Sequence, residues 1–185
     1  MKGQVTLENE RVRLSPLTMD NYKVLIPIAS QENLVQYSPS DIATPNSLKN
    51  YITIALQQLT AGTSIPFIIY DKKQGVYAGC TRYMNMNYKN KVLHIGSTWI
   101  GREFQGTGLN TEMKKLMLDY AFTTLDFEKV EFRVDERNTP SRKAVEKLGC
   151  VLEGILRKDV YLLDGFKRNT CCYGLLRTEW IKKNQ

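Results

Sequence analysis

Apolar and polar positions along the chain divide it into short strand-like runs and a few helical ones. Near the start, Arg11-Val12-Arg13-Leu14-Ser15-Pro16-Leu17 alternates with the period of two that marks a half-buried strand, and Thr18 is placed to cap a first helix over residues 19–29. Residues 31–45 read as loop. Ser47 reads as the N-cap of a second helix, with Leu48, Ile52, Ala55 and Leu59 at helical spacing and Gly62 as its stop. Pro66-Phe67-Ile68-Ile69-Tyr70, Tyr77 to Met86 and Lys91 to Ile100 have strand character, with a hairpin turn through Asp71-Lys72-Lys73-Gln74-Gly75, and predict an antiparallel meander.

From Thr107 to about Thr124, Leu109, Met113, Leu116, Met117 and Tyr120 recur at three- and four-residue steps and predict one apolar stripe on a long helix facing the core. Val130, Phe132 and Val134 alternate with charged residues in another strand. Thr139 and Pro140 read as N-cap and N1 of a short helix with Ala144, Val145 and Leu148 inward and Gly149 at its end. Cys150 to Leu156 and Asn169 to Leu176 close the pattern as two strands joined through Asp164-Gly165. The order βααβββαβαββ, without repeats, low-complexity segments or linkers, predicts one layered α/β (α+β) domain over residues 1–185, with helices flanking a mixed, mostly antiparallel sheet.

Composition narrows the setting. A length of 185 residues suits one globular domain. No run approaches the roughly 20 apolar residues that span a bilayer, and Met1-Lys2-Gly3-Gln4-Val5-Thr6 lacks a leader's apolar region, so the expectation is a soluble cytoplasmic protein with no membrane partner. Cys80, Cys150, Cys171 and Cys172 form no C-x-x-C pair and read as buried free thiols; Cys171 and Cys172, adjacent on a strand, point to opposite faces. With His94 the only histidine, no zinc-type cluster assembles, and no metal is expected. The net charge is +7, and residues 1–62 carry five basic and five acidic side chains, so the whole excess lies in residues 63–185. A basic excess suits a phosphate-rich ligand; interspersed acidic residues and the lack of a recognition motif argue against nucleic acid.

Within that basic part, a strand ending at Ile100 leads through Gln105-Gly106-Thr107-Gly108-Leu109-Asn110 into a helix. This geometry aims unbonded amides and the positive end of a helix dipole at an anion. Gly106 and Gly108 permit close backbone approach, and Asn110 and Thr111 lie in the first turn, where amides have no intrahelical partner. Two other phosphate motifs fail on specific positions. Gly101 and Gly106 have the P-loop spacing, yet Thr107 stands where lysine is required. Gly106-Thr107-Gly108-Leu109-Asn110-Thr111 begins like a dinucleotide fingerprint but lacks the third glycine, and the preceding strands are not a βαβ unit.

The turn resembles the cofactor motif Q/R-x-x-G-x-G/A of the GNAT superfamily of N-acetyltransferases, with Gln105, Gly108 and Asn110 at its defined positions; Asn110 departs from the usual Gly or Ala. Trp99 before the turn and Thr111-Glu112 after it are similar to the ribosomal-protein acetyltransferase branch typified by RimJ and RimL. Asn138-Thr139-Pro140-Ser141 and Lys147-Leu148-Gly149-Cys150 resemble the family's second segment, N-x-x-S/A followed by K-x-G-F, with Cys150 in place of Phe. The resemblance runs from Val12 to about Trp180.

It implies acetyl-CoA (coenzyme A) as acetyl donor, bound in a V-shaped opening between the fourth and fifth predicted strands, with Thr98, Trp99 and Ile100 offering backbone groups to the pantetheine arm. Gln105, Gly106, Thr107, Gly108, Leu109, Asn110 and Thr111 would cradle the pyrophosphate. Asn138 and Ser141 would approach from the other side and Arg142 would reach a phosphate. The expected chemistry is direct attack of a primary amine on the thioester, with an amide near Ile100 polarising the carbonyl. The tyrosine that often protonates the leaving thiolate is Val145 here, so Ser141 becomes the candidate donor. His94, with an ordinary pKa of about 6.5, is a candidate base beside a water-mediated route or a carboxylate such as Glu112. The acceptor, a protein N-terminus or a small amine, would meet a pocket built from the N-terminal helices, residues 31–45 and the loop near Asp164. A homodimer is compatible with the resemblance, and a non-catalytic acyl-CoA-binding module is the alternative.

Overall fold

The computed structural model describes residues 5–184. Met1 to Gln4, part of the segment expected to lack a leader's apolar region, lie outside the described residues. Eight strands form one sheet in the order β1-β2-β3-β4-β5-β6-β8-β7. They are β1 (Leu7–Glu8), β2 (Val12–Pro16), β3 (Ile65–Asp71), β4 (Val76–Asn87), β5 (Val92–Ile100), β6 (Lys129–Asp135), β7 (Val151–Tyr161) and β8 (Lys167–Leu176). All neighbours are antiparallel except β5 and β6, which run parallel because α3 (Leu109–Thr123) crosses between them. The remaining helices are α1 (Ile26–Ala29), α2 (Pro45–Thr60), α4 (Thr139–Leu148) and α5 (Arg177–Asn184).

The sheet is covered on both faces, which explains why β3 reads as a continuous apolar run. Phe67 and Ile69 pack with Leu109, Met113 and Met117 of α3, while Ile68 between them packs with Leu48 and Ile52 of α2. No described helix is long and apolar enough to cross a membrane.

Several local expectations change. The helix expected over 19–29 breaks into a 3₁₀ turn, Tyr22–Leu25, and the single turn of α1, although Thr18 does accept the Asn21 amide, at 3.2 Å. The second helix starts at Pro45, not after Ser47. Thr44 is its N-cap and Ser47 is the N3 partner in a reciprocal capping box, since Pro45 fits the first helical position, where no amide is needed. Likewise Asn138, not Thr139, caps α4, accepting the Ser141 amide at 3.2 Å. On α3 the buried face is Leu109, Met113, Lys114, Met117, Leu118, Ala121 and Phe122, with Leu116 and Tyr120 only partly buried. The face is rotated towards the sheet and includes a lysine. β1 and α5 were not expected: one is two residues long, and the other is mostly polar, anchored by a buried Trp180 whose indole donates to Asp119 at 2.7 Å. Cys80, Cys150 and Cys171 are buried free thiols, but Cys172 is only half-buried, because it faces away from Cys171 beside Arg133.

Candidate active site

The site begins where β5 and β6 part. Their pairing consists of Val92–Lys129, Leu93–Val130 and His94–Glu131 and then stops. β6 continues along β8 to Asp135. β5 continues along β4 but is bulged: Arg82 pairs with Gly96 and Cys80 with Trp99, so Ser97 and Thr98 oppose the single residue Thr81. Ser97 adopts φ +47°, and its carbonyl accepts the Tyr51 hydroxyl of α2 at 3.2 Å. Gly79 makes the close approach at this kink possible; a Cβ there would sit 2.0 Å from the Trp99 carbonyl oxygen. A bulged strand bends away from its parallel neighbour. The crevice left between β5 and β6 is flanked on one side by Ser97, Thr98, Trp99 and Ile100, whose edge towards β6 has no ladder partner.

At the mouth of the crevice the chain passes from Ile100 through a 3₁₀ turn, Arg102–Phe104, into the glycine turn. Gly106 and Gly108 have φ of +73° and +87°, and a Cβ on either would meet nothing within 4 Å, so the turn opens onto free space. Gly108 caps α3 without a side chain, and the first intrahelical bond runs from the Glu112 amide to the Gly108 carbonyl, 3.1 Å. The amides of Leu109, Asn110 and Thr111 therefore precede the helical ladder, Leu109 having only a 3.5 Å approach to the Thr107 hydroxyl. Thr107 closes the turn by donating to the Phe104 carbonyl at 2.7 Å, and Gln105 reaches back to the Ile100 carbonyl at 3.4 Å. Asn110 lies in ordinary helical backbone. Beside the turn, Lys115, Lys147, Lys183 and Trp180 join Gly108 and Thr111 around a cavity of about 350 Å³. Arg11, ion-paired with the buried Asp71, brings Nη2 to 3.5 Å from the Thr107 hydroxyl. Arg11 and Lys183 escaped the sequence reading because they are distant in the chain and carry no motif, while Lys115 on the same helix and Lys147 in the second motif were given no role.

Across the crevice stands the N-terminus of α4. Asn138 spends its side-chain oxygen on the Ser141 amide, while the Ser141 hydroxyl makes no hydrogen bond among the described residues. Arg142 is engaged elsewhere: its guanidinium donates to the Tyr173 hydroxyl at 3.0 Å and the Glu136 carbonyl at 3.3 Å, and Tyr173 in turn donates to Glu146 at 2.6 Å. The structure thus ties Arg142 to β8 and not to the glycine turn. Val145 is buried.

His94 sits at the closed end of the crevice, in the last residue pair before the strands part. Its Nε2 lies 3.1 Å from Glu131 and its Nδ1 3.2 Å from the Asn85 amide. Burial lowers its pKa, and the Glu131 carboxylate opposes that shift. Glu112, the carboxylate considered beside it, lines the lysine-bearing cavity next to Gly108 and Thr111, paired with Lys115 at 2.9 Å. No three His, Cys, Asp or Glu side chains group to hold a metal among the described residues.

One group went unrecognised in the sequence. Lys114 is 6% exposed, and its Nζ donates to the Thr98 hydroxyl on β5 at 2.8 Å while lying 5.4 Å from the Phe132 ring centroid on β6. Burial pulls its ammonium down to about 7. The available signal was its spacing: Lys114, Leu118 and Phe122 are i, i+4 and i+8 on one helix face.

Of the segments expected to form the acceptor pocket, residues 31–45 and the loop near Asp164 both approach Arg137, through Tyr37 and Phe166. Arg102 and Gln31 tie the glycine-turn side to residues 31–32, with the Arg102 amide 2.9 Å from the Gln31 side chain. Arg168 donates to the Tyr37 carbonyl at 2.7 Å, and Arg137 lies over Phe166, 3.8 Å from its ring centroid. Trp99, against Tyr51, keeps a buried indole N–H with no partner among the described residues.

Comparison with known proteins gives the family of the chain. Residues 11–151 match the family model described as an acetyltransferase (GNAT) domain. The "Uncharacterized N-acetyltransferase p20" of Bacillus licheniformis is 26% identical over 173 residues, covering 88% of this chain and 97% of that protein. The provisionally assigned ribosomal N-acetyltransferase YdaF of Bacillus subtilis is 31% identical over 61% of this chain and 59% of its own length, and the spermidine N(1)-acetyltransferase of Escherichia coli 28% over 60% and 59%. Among solved structures, a GCN5-related N-acetyltransferase from Brucella melitensis superposes with a TM-score of 0.86 at 27% identity, covering 96% of this chain and 81% of that one.

Proposed function

Because the chain belongs to the GNAT family of N-acetyltransferases, we propose that it transfers the acetyl group of acetyl-CoA directly to a primary amine, within a single cytoplasmic domain. The observation that carries this reading is the junction of the two halves of the site. A strand bent by a bulge at Ser97 and Thr98 loses its parallel neighbour, and by Leu109 the same chain has turned through two left-handed glycines into a helix with unbonded amides. The open turn fits a pyrophosphate, since nothing lies within 4 Å of a Cβ at Gly106 or Gly108, and the neighbouring lysines suit further phosphate charge.

When bound, acetyl-CoA supplies an activated acetyl thioester. The amides at Leu109, Asn110 and Thr111 hold its pyrophosphate, while the free edge of β5 from Ser97 to Ile100 holds the pantetheine as an added strand would be held. An amide of that edge, near Ile100, would polarise the carbonyl oxygen and stabilise the charge that develops there. His94 takes a proton from the acceptor amine, with Glu131 orienting the ring, and the free Ser141 hydroxyl donates a hydrogen bond to the leaving sulfur.

Two classes of acceptor are supported, a protein N-terminus and a small amine, because the relatives include a provisional ribosomal N-acetyltransferase and a spermidine N-acetyltransferase. A homodimer belongs to the same reading. β7 ends the sheet with Val151, Leu152, Ile155, Leu156 and Tyr161 exposed, an edge that a second copy would cover. The test is purified protein with acetyl-CoA against peptide N-termini, polyamines and aminoglycosides, followed by thiol release and mass spectrometry of the acceptor. Acetylation of one class is expected. Tight acetyl-CoA binding without thiol release across the panel would instead indicate a non-catalytic acyl-CoA-binding module.

A further inference from the structure

Lys114 occupies a position that its surroundings do not explain as structural. It projects from α3 onto the sheet where β5 and β6 have just parted, touching Thr98 on one wall and standing over Phe132 on the other. The Thr98 hydroxyl is its one hydrogen-bond acceptor among the described residues, and that oxygen is already shared with Thr81 at 2.7 Å. An ammonium has three donors, so the Thr98 contact leaves two without a partner among the described residues. No carboxylate forms an ion pair with it among the described residues. The other titratable group acting on it is Cys150, whose thiol is pushed up to about 12 by burial and so stays neutral. A buried cation lacking a counter-ion is costly, and a stabilising role would be served better by leucine or methionine.

We infer that Lys114 is the general acid for the leaving thiolate, taking the part that a tyrosine at position 145 would otherwise play. The inference rests on the acetyl-CoA reading above, which lays the pantetheine thiol between β5 and β6. As the acceptor nitrogen bonds to the acetyl carbon, the C–S bond breaks and its electron pair goes to sulfur. Nζ gives a proton to that sulfur and is left as a neutral amine. The proton lost by the acceptor nitrogen leaves through His94 to solvent, and Nζ recovers one from solvent before the next turnover. Thiol, amide and protonation state all balance. A thiolate forming beside Nζ pulls the ammonium's lowered pKa back up, so the two groups titrate as a coupled pair that first stabilises the charge on sulfur and then shares its proton with it. Thr98 fixes Nζ in place, and the Ser141 hydroxyl orients the sulfur from the other side.

The experiment needs no acceptor. Coenzyme A is bound to wild-type protein and to Lys114→Met, and the thiolate absorbance of the bound thiol is followed against pH, with calorimetric affinities and melting curves on both. In the wild type the thiolate should emerge at least one pH unit lower than in Lys114→Met, because the ammonium stabilises it. Lys114→Arg, whose charge persists but whose proton is not released, should keep the low thiolate titration and yet lose at least tenfold in kcat, with an unchanged KM for acetyl-CoA, once an acceptor is known. Coincident thiolate titrations in wild type and Lys114→Met, with equal affinity for coenzyme A, would overturn the inference. Failure of the wild type to bind coenzyme A would instead overturn the cofactor reading. Should Lys114→Met not fold, Lys114→Gln provides the same comparison.

Discussion

Replacing Gly108 tests the phosphate cradle most directly, and a pair of substitutions isolates its electrostatics. Gly108→Asn and Gly108→Asp are nearly isosteric, and a Cβ at this position meets no atom within 4 Å, so neither creates a clash. Both must accept φ +87°, at a common cost of about 1–2 kcal/mol in stability, which Asn and Asp side chains tolerate better than most. They differ by one negative charge where the α3 amides would meet a pyrophosphate. At about 4 Å, repulsion between two unit charges is roughly 1 kcal/mol in bulk water and roughly 4 kcal/mol at a protein surface. The aspartate should therefore bind acetyl-CoA about five- to a thousandfold more weakly than the asparagine, while the two melt together. Calorimetric titration supplies the affinities, and raising salt should narrow the gap because the interaction is screened. Equal affinity of Asp, Asn and wild type would mean that the turn is only a helix entry.

His94 is expected to govern the ascending limb of the pH–rate profile. That limb should fall below the ordinary imidazole value of about 6.5 because burial favours the neutral ring; Glu131→Gln should move it lower still, and an unchanged limb in His94→Gln would remove the base assignment. Ser141→Ala should reduce kcat about tenfold without altering melting, its hydroxyl having no partner to lose; unchanged turnover and acetyl-CoA affinity would make it a bystander. Gly79→Ala should displace the β5 kink, since the added carbon falls 2.0 Å from a backbone oxygen, costing about 1–3 kcal/mol and most of the activity; a crystal structure with β5 unmoved would refute the account of the bulge. For Lys114, the folded-state pKa is lowered to about 7 while the unfolded chain holds its proton to about 10.5, so native stability should rise with pH between those values. Lys114→Met should then be more stable than wild type at pH 7, by something on the order of a few kcal/mol, with the advantage fading towards pH 10 in urea titrations.

The sequence by itself determined the parts whose physics is local. Alternation located β2 and β6, apolar runs bounded by turn residues located β3 to β5, the glycines of the turn marked left-handed backbone at a helix entry, and two motifs with the order of elements carried the family resemblance. Capping was legible only to within a few residues, because Thr44, Ser47, Asn138 and Thr139 all offer side-chain oxygens, and the choice among them depends on where Pro45 and Pro140 fit the first turn.

What the tertiary structure alone decided lies between elements. The parting of β5 from β6 follows from a bulge that leaves no trace in an apolar strand pattern, since Ser97 and Thr98 acquire their extra length only against the register of β4. Arg142 looks free in a motif but is held by Tyr173, thirty-one residues further along the chain. Lys114 looks like a surface lysine because charge normally faces water; only the packing of α3 across two diverging strands turns it inward, beside a hydroxyl and an aromatic ring, where burial changes its chemistry.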